Sequence, residues 1–218
     1  MVIAIDGPGG VGKSTVARRL AAILGIDYLD TGATYRAAAV AALHAEVDLA
    51  DETAVLAAIK RHVIAYENGV ILLDGASIAH ETRSEEVTQA VTPVSALPRV
   101  REHIVAIQRR WVEGRGGAAV VEGRDIGTVV FPDAPVKVFL TAAPDVRAAR
   151  RAGDCEAAHL NVTEIVADLN RRDYADSTRK ASPLRPAEDA VEIDTGAMDV
   201  EEVVAAILDL MTTAGDRN

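Results

Sequence analysis

A glycine-rich segment near the start of the chain has the residue types and spacing of a phosphate-binding loop. The fixed positions of the pattern G-x-x-x-x-G-K-[ST] are all filled, by Gly7, Gly12, Lys13 and Ser14. Glycines allow backbone N–H groups to close around phosphate oxygens, and the helix predicted after the loop directs its positive end at them. Lys13 would add a charge at the β- and γ-phosphates, and the Ser14 hydroxyl would ligate Mg²⁺. The segment predicts a site for a nucleoside triphosphate. The alternative, an ordinary glycine-rich turn, is disfavoured by the flanking apolar run and helical pattern.

Arginines are clustered at two places in the last third of the chain. One cluster has the spacing i, i+3 and i+4 on a helix predicted around Thr141–Arg151: Arg147, Arg150 and Arg151. On a second helix, predicted from Asn161 to about Lys180, two arginines share one face with an aspartate at the spacing i, i+4 and i+7: Arg172, Asp176 and Arg179. A solvated surface charge is the simpler interpretation of any single arginine. Two such faces flanking one irregular segment favour phosphate binding, because guanidinium groups bind phosphate oxygens in pairs.

Two polar segments follow predicted strands directly. Glu122-Gly123-Arg124-Asp125 follows the third strand, and Asp30–Arg36 follows the second. Ligands of open α/β sheets bind beyond the carboxyl ends of the strands. We therefore expect a carboxylate here to hold Mg²⁺ through water or to accept a hydrogen bond from a substrate, and Arg124 to bind an anion. The alternatives are a capped turn with a salt bridge for the first segment and a helix cap for the second.

The elements that must position these groups alternate along the chain. Five short apolar runs predict buried strands: Val2–Asp6, Asp27–Leu29, Ala118–Glu122, Val136–Leu140 and Ala190–Asp194. Helical periodicity between them indicates βαβ units, and hence an α/β fold with a five-stranded parallel sheet covered on both faces. Helix starts are predicted at Asp30-Thr31, Pro98, Asn161 with Glu164, and Asp199 with Glu202.

One region breaks this alternation. Val63–Tyr66 and Val70–Leu73 flank Asn68-Gly69, a pair that suits a tight turn with positive φ, so a β-hairpin is predicted, followed by a polar segment at residues 83–86. Ala152–Leu160 has few apolar residues, and a mobile lid is expected there. We predict a single domain over residues 1–218, with a core (1–60, 98–150, 181–218), an insertion (61–97) and a lid (151–180).

Composition excludes several classes of function. The net charge of −10 and the aromatic content of 3% argue against general nucleic-acid binding, which needs a basic surface and stacking side chains. No apolar run approaches the ~20 residues needed to span a bilayer, and the N-terminus lacks a signal segment. The one cysteine, Cys155, offers neither an internal disulfide nor a metal cluster. We expect a cytoplasmic monomer that acts on small molecules, without membrane or nucleic-acid partners.

Taken together, these residues resemble the bacterial cytidylate (CMP) kinases, a branch of the nucleoside monophosphate kinases. The resemblance covers nearly the whole chain and rests on the following segments: Ile5–Pro8 with the phosphate loop, Leu29–Arg36, Leu97–Arg101, Glu122–Ala134, Arg171–Asp173 and Ser182–Leu184. Many NTPases share the phosphate loop, but the segment from Gly123 to Ala134 and the insertion are specific to this family. The resemblance implies a P-loop NTPase-type three-layer fold with an NMP-binding insertion and a helical lid.

The resemblance also implies roles for individual residues. ATP phosphates would be bound by Gly7, Pro8, Gly9, Gly10, Val11, Gly12, Lys13, Ser14 and Thr15, with Mg²⁺ at Ser14. The CMP phosphate would be held by Arg36, Arg124 and Arg179, the ribose by Asp176, and the cytosine by Thr92, Arg101 and Asp125. Further substrate contacts are expected from Thr31, Tyr35 and Arg172. Residues expected to act in catalysis are Lys13, Arg124, Asp125, Arg150 and Arg151. Thr31 and Thr92 stand where some relatives carry Ser, so the hydroxyl is retained.

The implied reaction is ATP + CMP → ADP + CDP, with dCMP as a further acceptor. Because the CMP phosphate oxygen is already a nucleophile at neutral pH, no general base is required, and catalysis is positioning and charge neutralisation. One alternative is a P-loop kinase for another small acceptor, such as UMP, AMP or a sugar acid. The other is a nucleotide-binding switch, against which stands the lack of the guanine-reading pattern Asn-Lys-x-Asp.

Overall fold

The computed structural model of the chain describes residues 1–153 and 161–215. Its strands are β1 (Val2–Asp6), β2 (Asp27–Asp30), β3 (Ile64–Glu67), β4 (Val70–Leu73), β5 (Ala76–Ser77), β6 (Ala119–Gly123), β7 (Val136–Thr141) and β8 (Val191–Asp194). Its helices are α1 (Lys13–Leu24), α2 (Thr31–His44), α3 (Glu52–Ile59), α4 (Glu85–Ala96), α5 (Pro98–Glu113), α6 (Pro144–Ala152), α7 (Val162–Thr178) and α8 (Val200–Gly215). In that part of the chain, no helix combines the length and the apolar character that crossing a membrane requires.

A five-stranded sheet in the order β2-β6-β1-β7-β8 lies at the centre, and every neighbouring pair is parallel. Alternate residues of β1 face opposite sides of this sheet. Ala4 packs in a core with α2 and α5, whereas Ile3 and Ile5 pack in a second core with α1 and α8. The three-layer α/β architecture and the five predicted strands are therefore confirmed, with boundaries that shift by about one residue.

Local capping chemistry starts the helices where the sequence predicted. The Asp30 side chain accepts a hydrogen bond from the Ala33 N–H, and Pro98 occupies the first turn of α5. Reciprocal capping boxes start α7 and α8, formed by Asn161 with Glu164 and by Asp199 with Glu202. These signals act between residues a few positions apart, which is why the sequence alone located them.

The insertion contains more structure than the sequence predicted. The hairpin β3–β4 turns at Asn68 (φ 50°) and Gly69 (φ 78°), as predicted, and β5 completes a three-stranded antiparallel sheet. The polar segment at residues 83–86 contains a helix start that was not predicted, because Ser84 caps α4 by accepting from the Val87 N–H. The buried face of α4, formed by Val87, Ala90 and Val94, packs toward α2. This face was not recognised in the sequence because charged residues precede it in the first turn of the helix. The short helix α3 was also missed.

The two arginine-bearing helices are shorter than predicted. Thr141 is the last residue of β7, so α6 begins only at Pro144. At the other helix, α7 ends at Thr178, and Arg179 has an extended backbone (φ −62°, ψ 143°) rather than a helical one. From residue 154 on, the segment predicted as a mobile lid (Ala152–Leu160) lies outside the described residues.

A π-turn at Ile126–Val130, which connects β6 toward β7, was not predicted. Its i→i+5 hydrogen bonds run from the Val130 N–H to the Asp125 carbonyl (3.1 Å) and from the Phe131 N–H to the Ile126 carbonyl (2.7 Å). Such turns are rare and concentrate at functional sites. This one begins directly after the polar segment that follows β6.

Candidate active site

The glycine-rich segment forms a loop between β1 and α1 whose conformation requires glycine at several positions, among them Gly10 and Gly12. Gly10 has φ 78°, and a Cβ there would lie 2.9 Å from the Arg147 carbonyl oxygen. Gly12 has φ 92° and immediately precedes the first residue of α1, Lys13. Successive N–H groups in such a loop, at the positive end of a helix, form a concave anion site. The loop therefore fits the phosphates of a nucleotide.

Beside this loop lies a small group of interacting charged and polar side chains. The Lys13 Nζ donates to the Pro8 carbonyl across the loop at 2.7 Å. Glu122 is buried at the end of β6. Its carboxylate accepts a hydrogen bond from the Tyr28 hydroxyl and is also hydrogen-bonded to the Ser14 side chain. Burial raises the pKa of Glu122, and the positive charge of Lys13 opposes this shift. Burial, together with the positive charge of Arg124, lowers the pKa of Lys13, and the negative charge of Glu122 opposes that shift. Each charged group thus offsets part of the cost of burying the other.

The same group provides the oxygen ligands that Mg²⁺ prefers. Ser14 offers a hydroxyl and Glu122 a carboxylate, which suits an ion held chiefly by nucleotide phosphates and water. No cluster of three or more His, Cys, Asp or Glu side chains able to hold a metal occurs within residues 1–153 and 161–215. Ser14 and Glu122 therefore fit a magnesium ion whose other ligands are nucleotide phosphates and water.

A cavity of about 260 Å³ opens from the phosphate loop. It brings together most of the predicted site residues, from the start, middle and end of the chain: Gly9, Gly10, Lys13, Ser14, Thr31, Tyr35, Arg36, Thr92, Arg101, Arg124, Asp125, Arg151, Arg172, Asp176 and Arg179. Glu122 and Asp173 also line it. The cavity therefore joins the phosphate loop to the acceptor residues that the resemblance implied.

The part of the cavity around Asp125 is a buried network of charges. An Arg101 guanidinium nitrogen lies 2.5 Å from an Asp125 carboxylate oxygen, and the side chains are only 4% and 5% exposed. The Arg101 guanidinium also stacks on the Tyr35 ring at 5.0 Å and donates to the Ser95 carbonyl. Three buried polar atoms here have no hydrogen-bond partner among the described residues: Tyr35 Oη, Arg101 Nε and Arg179 Nη2. Unpaired buried donors are costly, so this end of the cavity suits a polar ligand.

Asp176 joins two of the predicted phosphate-binding arginines. Its carboxylate lies 2.8 Å from Arg124 Nε and 3.3 Å from a guanidinium nitrogen of Arg179. Arg124 also donates to the carbonyl of Gly7 at 2.7 Å, which ties it to the phosphate loop. Arg124 thus forms the salt bridge that the sequence left open as an alternative, and it does so while it lines the cavity.

Three further cations line the same cavity: Arg36, Arg151 and Arg172. Arg172 pairs with Asp168 at 2.8 Å on the same helix, and Arg36 donates to the Thr82 carbonyl at 3.3 Å. Burial lowers the pKa of Arg172, and the positive charges of Arg151 and Arg36 lower it further, while Asp168 opposes them. Arg36, Arg151 and Arg172 all line this cavity, so their positive charges repel one another there. An anion between them would relieve this repulsion.

The three arginines on α6 that were predicted to act together have different surroundings in the structure. Arg151 lines the first cavity and also a second cavity of about 780 Å³, which runs along the other side of the phosphate loop. Arg150 lines only the second of these and donates to the Thr195 carbonyl at 2.7 Å. Arg147 lines neither, because it is buried in an ion pair with Asp173 and donates to the Gly9 carbonyl at 3.1 Å. The three arginines therefore do not act alike, although their spacing suggested it.

Two contacts at this site were missed by sequence reasoning. The Asp173 carboxylate accepts from the Gly9 N–H at 3.2 Å, so α7 is attached to the phosphate loop. Asp6 accepts hydrogen bonds from two backbone N–H groups at the start of the π-turn. The only signal for Asp6 was a charged residue at the end of an otherwise apolar strand. Thr31 was predicted to bind substrate, and its hydroxyl donates to the Glu122 carbonyl at 2.6 Å.

A parallel α/β sheet with a phosphate loop between β1 and α1, and an arginine-lined cavity beside that loop, defines a P-loop protein. Comparison with known proteins gives the family. The family model for cytidylate kinase matches residues 3–213, so the chain belongs to the cytidylate kinase family.

Bacterial relatives match over nearly their whole length. The cytidylate kinase of Mycobacterium leprae is 49% identical, and the match covers 97% of this chain and 95% of the relative. That of Corynebacterium efficiens is 46% identical, with 100% and 97% covered. Among solved structures, an uncharacterized protein from Eubacterium ventriosum superposes with a TM-score of 0.53 at 13% identity, covering 98% of each chain. That last likeness shows the fold alone.

Proposed function

We propose that the protein transfers the γ-phosphoryl group of ATP to CMP, forming ADP and CDP, and that it also accepts dCMP. One observation carries the proposal: a single cavity joins the phosphate loop, a set of arginines and the buried Arg101–Asp125 pair. The named relatives are cytidylate kinases over nearly their full length. The phosphates of ATP would then bind at the phosphate loop, and CMP would bind at the arginine-lined end of the same cavity.

The donor phosphates would bind at Gly7–Thr15, with Lys13 beside the β- and γ-phosphates. Ser14 would hold Mg²⁺, with Glu122 acting through water. When bound, the ion neutralises charge on the phosphates of the nucleotide. The second cavity, which contains Arg150 and Thr195, offers room for the rest of ATP.

The acceptor would bind with its phosphate among the arginines and its base toward Asp125. Arg36, Arg124 and Arg179 would hold the phosphate, with Arg172 near it. Asp125, held by Arg101, would accept a hydrogen bond from the cytosine amino group, where uracil presents a carbonyl oxygen instead. Tyr35 and Thr92 line the same cavity. A carboxylate at this position therefore favours cytosine over uracil.

In the reaction, a phosphate oxygen of CMP would attack the γ-phosphorus of ATP. The bond between that phosphorus and the bridging oxygen of ADP breaks, and ADP leaves with the electron pair. Lys13, Arg124 and Arg151 would stabilise the charge on the transferring group, and no proton transfer is needed. We propose that the insertion (61–97) and the lid (151–180) close over the substrates and exclude water, which would otherwise hydrolyse ATP.

Initial rates measured by coupled ADP release test the assignment. CMP and dCMP are expected to be good acceptors, and UMP, AMP and dTMP poor ones. A rate with UMP equal to that with CMP would contradict the role given to Asp125, and a preference for AMP would favour another acceptor class. Size-exclusion chromatography tests the further expectation that the enzyme is a monomer.

A further inference from the structure

The proposed recognition of cytosine depends on where Asp125 points, and the backbone that carries it has an irregular conformation. Asp125 has φ −146° and ψ 27° and leads directly into the π-turn (Ile126–Val130). Rare turns of this kind persist where surrounding groups hold them. Two side chains from different elements, neither of them in the cavity wall, make those contacts here.

Asp6 holds the first end of the π-turn. One carboxylate oxygen accepts from the Ile126 N–H at 2.8 Å, and the other accepts from the Gly127 N–H at 2.8 Å. The side chain is buried, so both bonds are shielded from water. A Cβ at Gly127 would lie only 3.2 Å from the Lys137 side chain, which leaves little room for a larger residue in the turn. A carboxylate that accepts two adjacent N–H groups fixes the peptide units directly after Asp125.

Arg109 holds the other end. Its Nε donates to the Val130 carbonyl at 2.9 Å, and one of its terminal nitrogens donates to the Val129 carbonyl at 2.8 Å. Arg109 lies on α5, the helix that also carries Arg101. One helix therefore holds both the Asp125 side chain, through Arg101, and the backbone that follows it, through Arg109.

We propose that Asp6 and Arg109 are positioning residues for cytosine recognition, which together fix the π-turn and so direct the Asp125 carboxylate toward the base. The inference rests on the proposed CMP kinase function. Because Asp6 immediately precedes Gly7, it also links the orientation of the base-reading carboxylate to the strand that carries the phosphate loop. Neither residue lines the cavities on either side of that loop, so both act through the backbone of the turn.

The first test uses Arg109→Gln, because Arg109 is exposed and its loss leaves the core intact. The KM for CMP is expected to rise about tenfold, the scale of losing one charge-assisted hydrogen bond, and the preference for CMP over UMP to fall by a similar factor. The KM for ATP should stay near that of the wild type. Arg110→Gln, which changes the exposed neighbour in the same helix, is the matched control. It should change neither the KM for CMP nor the KM for ATP. Arg109→Lys should restore part of the CMP affinity.

The second test uses Asp6→Asn, with amide hydrogen exchange of residues 124–131 as a readout independent of turnover. Faster exchange in this segment and a raised KM for CMP are expected together. If the wild type phosphorylates CMP but Arg109→Gln keeps the wild-type KM and selectivity, the inference is refuted while the proposed function stands. An equal rise of both KM values would mean a general structural role and would also refute it. A wild type unable to phosphorylate CMP would refute the proposed function itself, and with it the role assigned to these two residues.

Discussion

The two proposed substrate regions of this protein, a donor region and an acceptor region, are built in different ways. The donor region is a continuous segment, Gly7–Thr15, shaped by glycine conformations and the start of α1. The acceptor region is assembled from side chains that are distant in the chain: Arg36, Arg101, Arg124, Asp125, Asp176 and Arg179. The donor region would bind phosphates chiefly through backbone N–H groups at the start of α1. The acceptor region would bind its ligand through charged side chains, of which those of Arg101, Asp125 and Arg179 are buried.

This difference has an energetic consequence. A buried charge is tolerated only when a partner compensates for its lost hydration, and removing that partner leaves the other charge unpaired. Asp125 and Arg101 form such a pair, and Asp176 is shared by Arg124 and Arg179. Substitutions in the acceptor region should therefore reduce both stability and activity. In the donor region, by contrast, activity can be lost without loss of stability.

The largest effect on activity is expected from Lys13→Ala. The rate of phosphoryl transfer should fall by about a thousandfold or more, because the positive charge beside the transferring group is lost. Thermal stability should change little, because the variant loses the burial cost that lowers the pKa of Lys13 but also removes the charge that offsets the burial of Glu122. A coupled assay and a thermal unfolding curve measure the two effects. Near-normal turnover would contradict the role of the phosphate loop.

Asp125→Asn tests the other side of the comparison. We expect kcat/KM for CMP to fall by about a hundredfold, the scale of losing an oriented charged contact to the substrate. The free energy of unfolding should fall by about 3–5 kcal/mol, because Arg101 remains buried without its partner. Urea denaturation measures the second effect, and Asp133→Asn at an exposed aspartate is the control. Unchanged stability would remove the contrast between the regions.

A comparison of Arg151→Met with Arg150→Met tests how α6 contributes. Arg151 lines the cavities on both sides of the phosphate loop, whereas Arg150 lines one and is bonded to Thr195. We expect kcat to fall about a hundredfold for Arg151→Met and about tenfold for Arg150→Met, because only the first removes a charge shared by both sites. Steady-state kinetics at saturating ATP and CMP distinguish the two. The reverse order would contradict the assignment of Arg151 to the transferring group.

The last prediction concerns Asp6, which lies at the junction of the two regions, and the pH dependence of the free energy of unfolding. Burial raises the pKa of Asp6 from 3.8 to about 6, against the lowering effect of the Gly127 and Ile126 N–H groups. The folded state therefore binds this proton more tightly than the unfolded state. The contribution of Asp6 to the free energy of unfolding should fall by about 2–3 kcal/mol as pH rises from about 4 to about 6.

Asp6→Asn should remove that part of the pH dependence. Urea denaturation of the wild type and the variant at pH 4 and pH 7 measures the difference, with Asp133→Asn as the control. If the wild type and the Asp6 variant show the same change in stability between the two pH values, the folded-state pKa of Asp6 is not raised.

Much of the fold was predictable because its signals are local. Apolar runs located the five strands, capping residues located the starts of four helices, and Asn68-Gly69 located the hairpin turn. Each signal depends on residues within a few positions of one another. The helix α4 escaped this reasoning because its apolar stripe is narrow and its first turn is charged.

What the sequence determined by itself was the phosphate loop, the order of the strands along the chain and the set of residues available for an acceptor site. Only the tertiary structure decided how those charges are used. In the folded chain, Arg147 pairs with Asp173, and Asp176 forms ion pairs with both Arg124 and Arg179. Arg151 lines two cavities. The reason is physical: helical spacing says which arginines share a face, whereas burial and long-range pairing decide which charge is compensated by the protein and which faces a substrate.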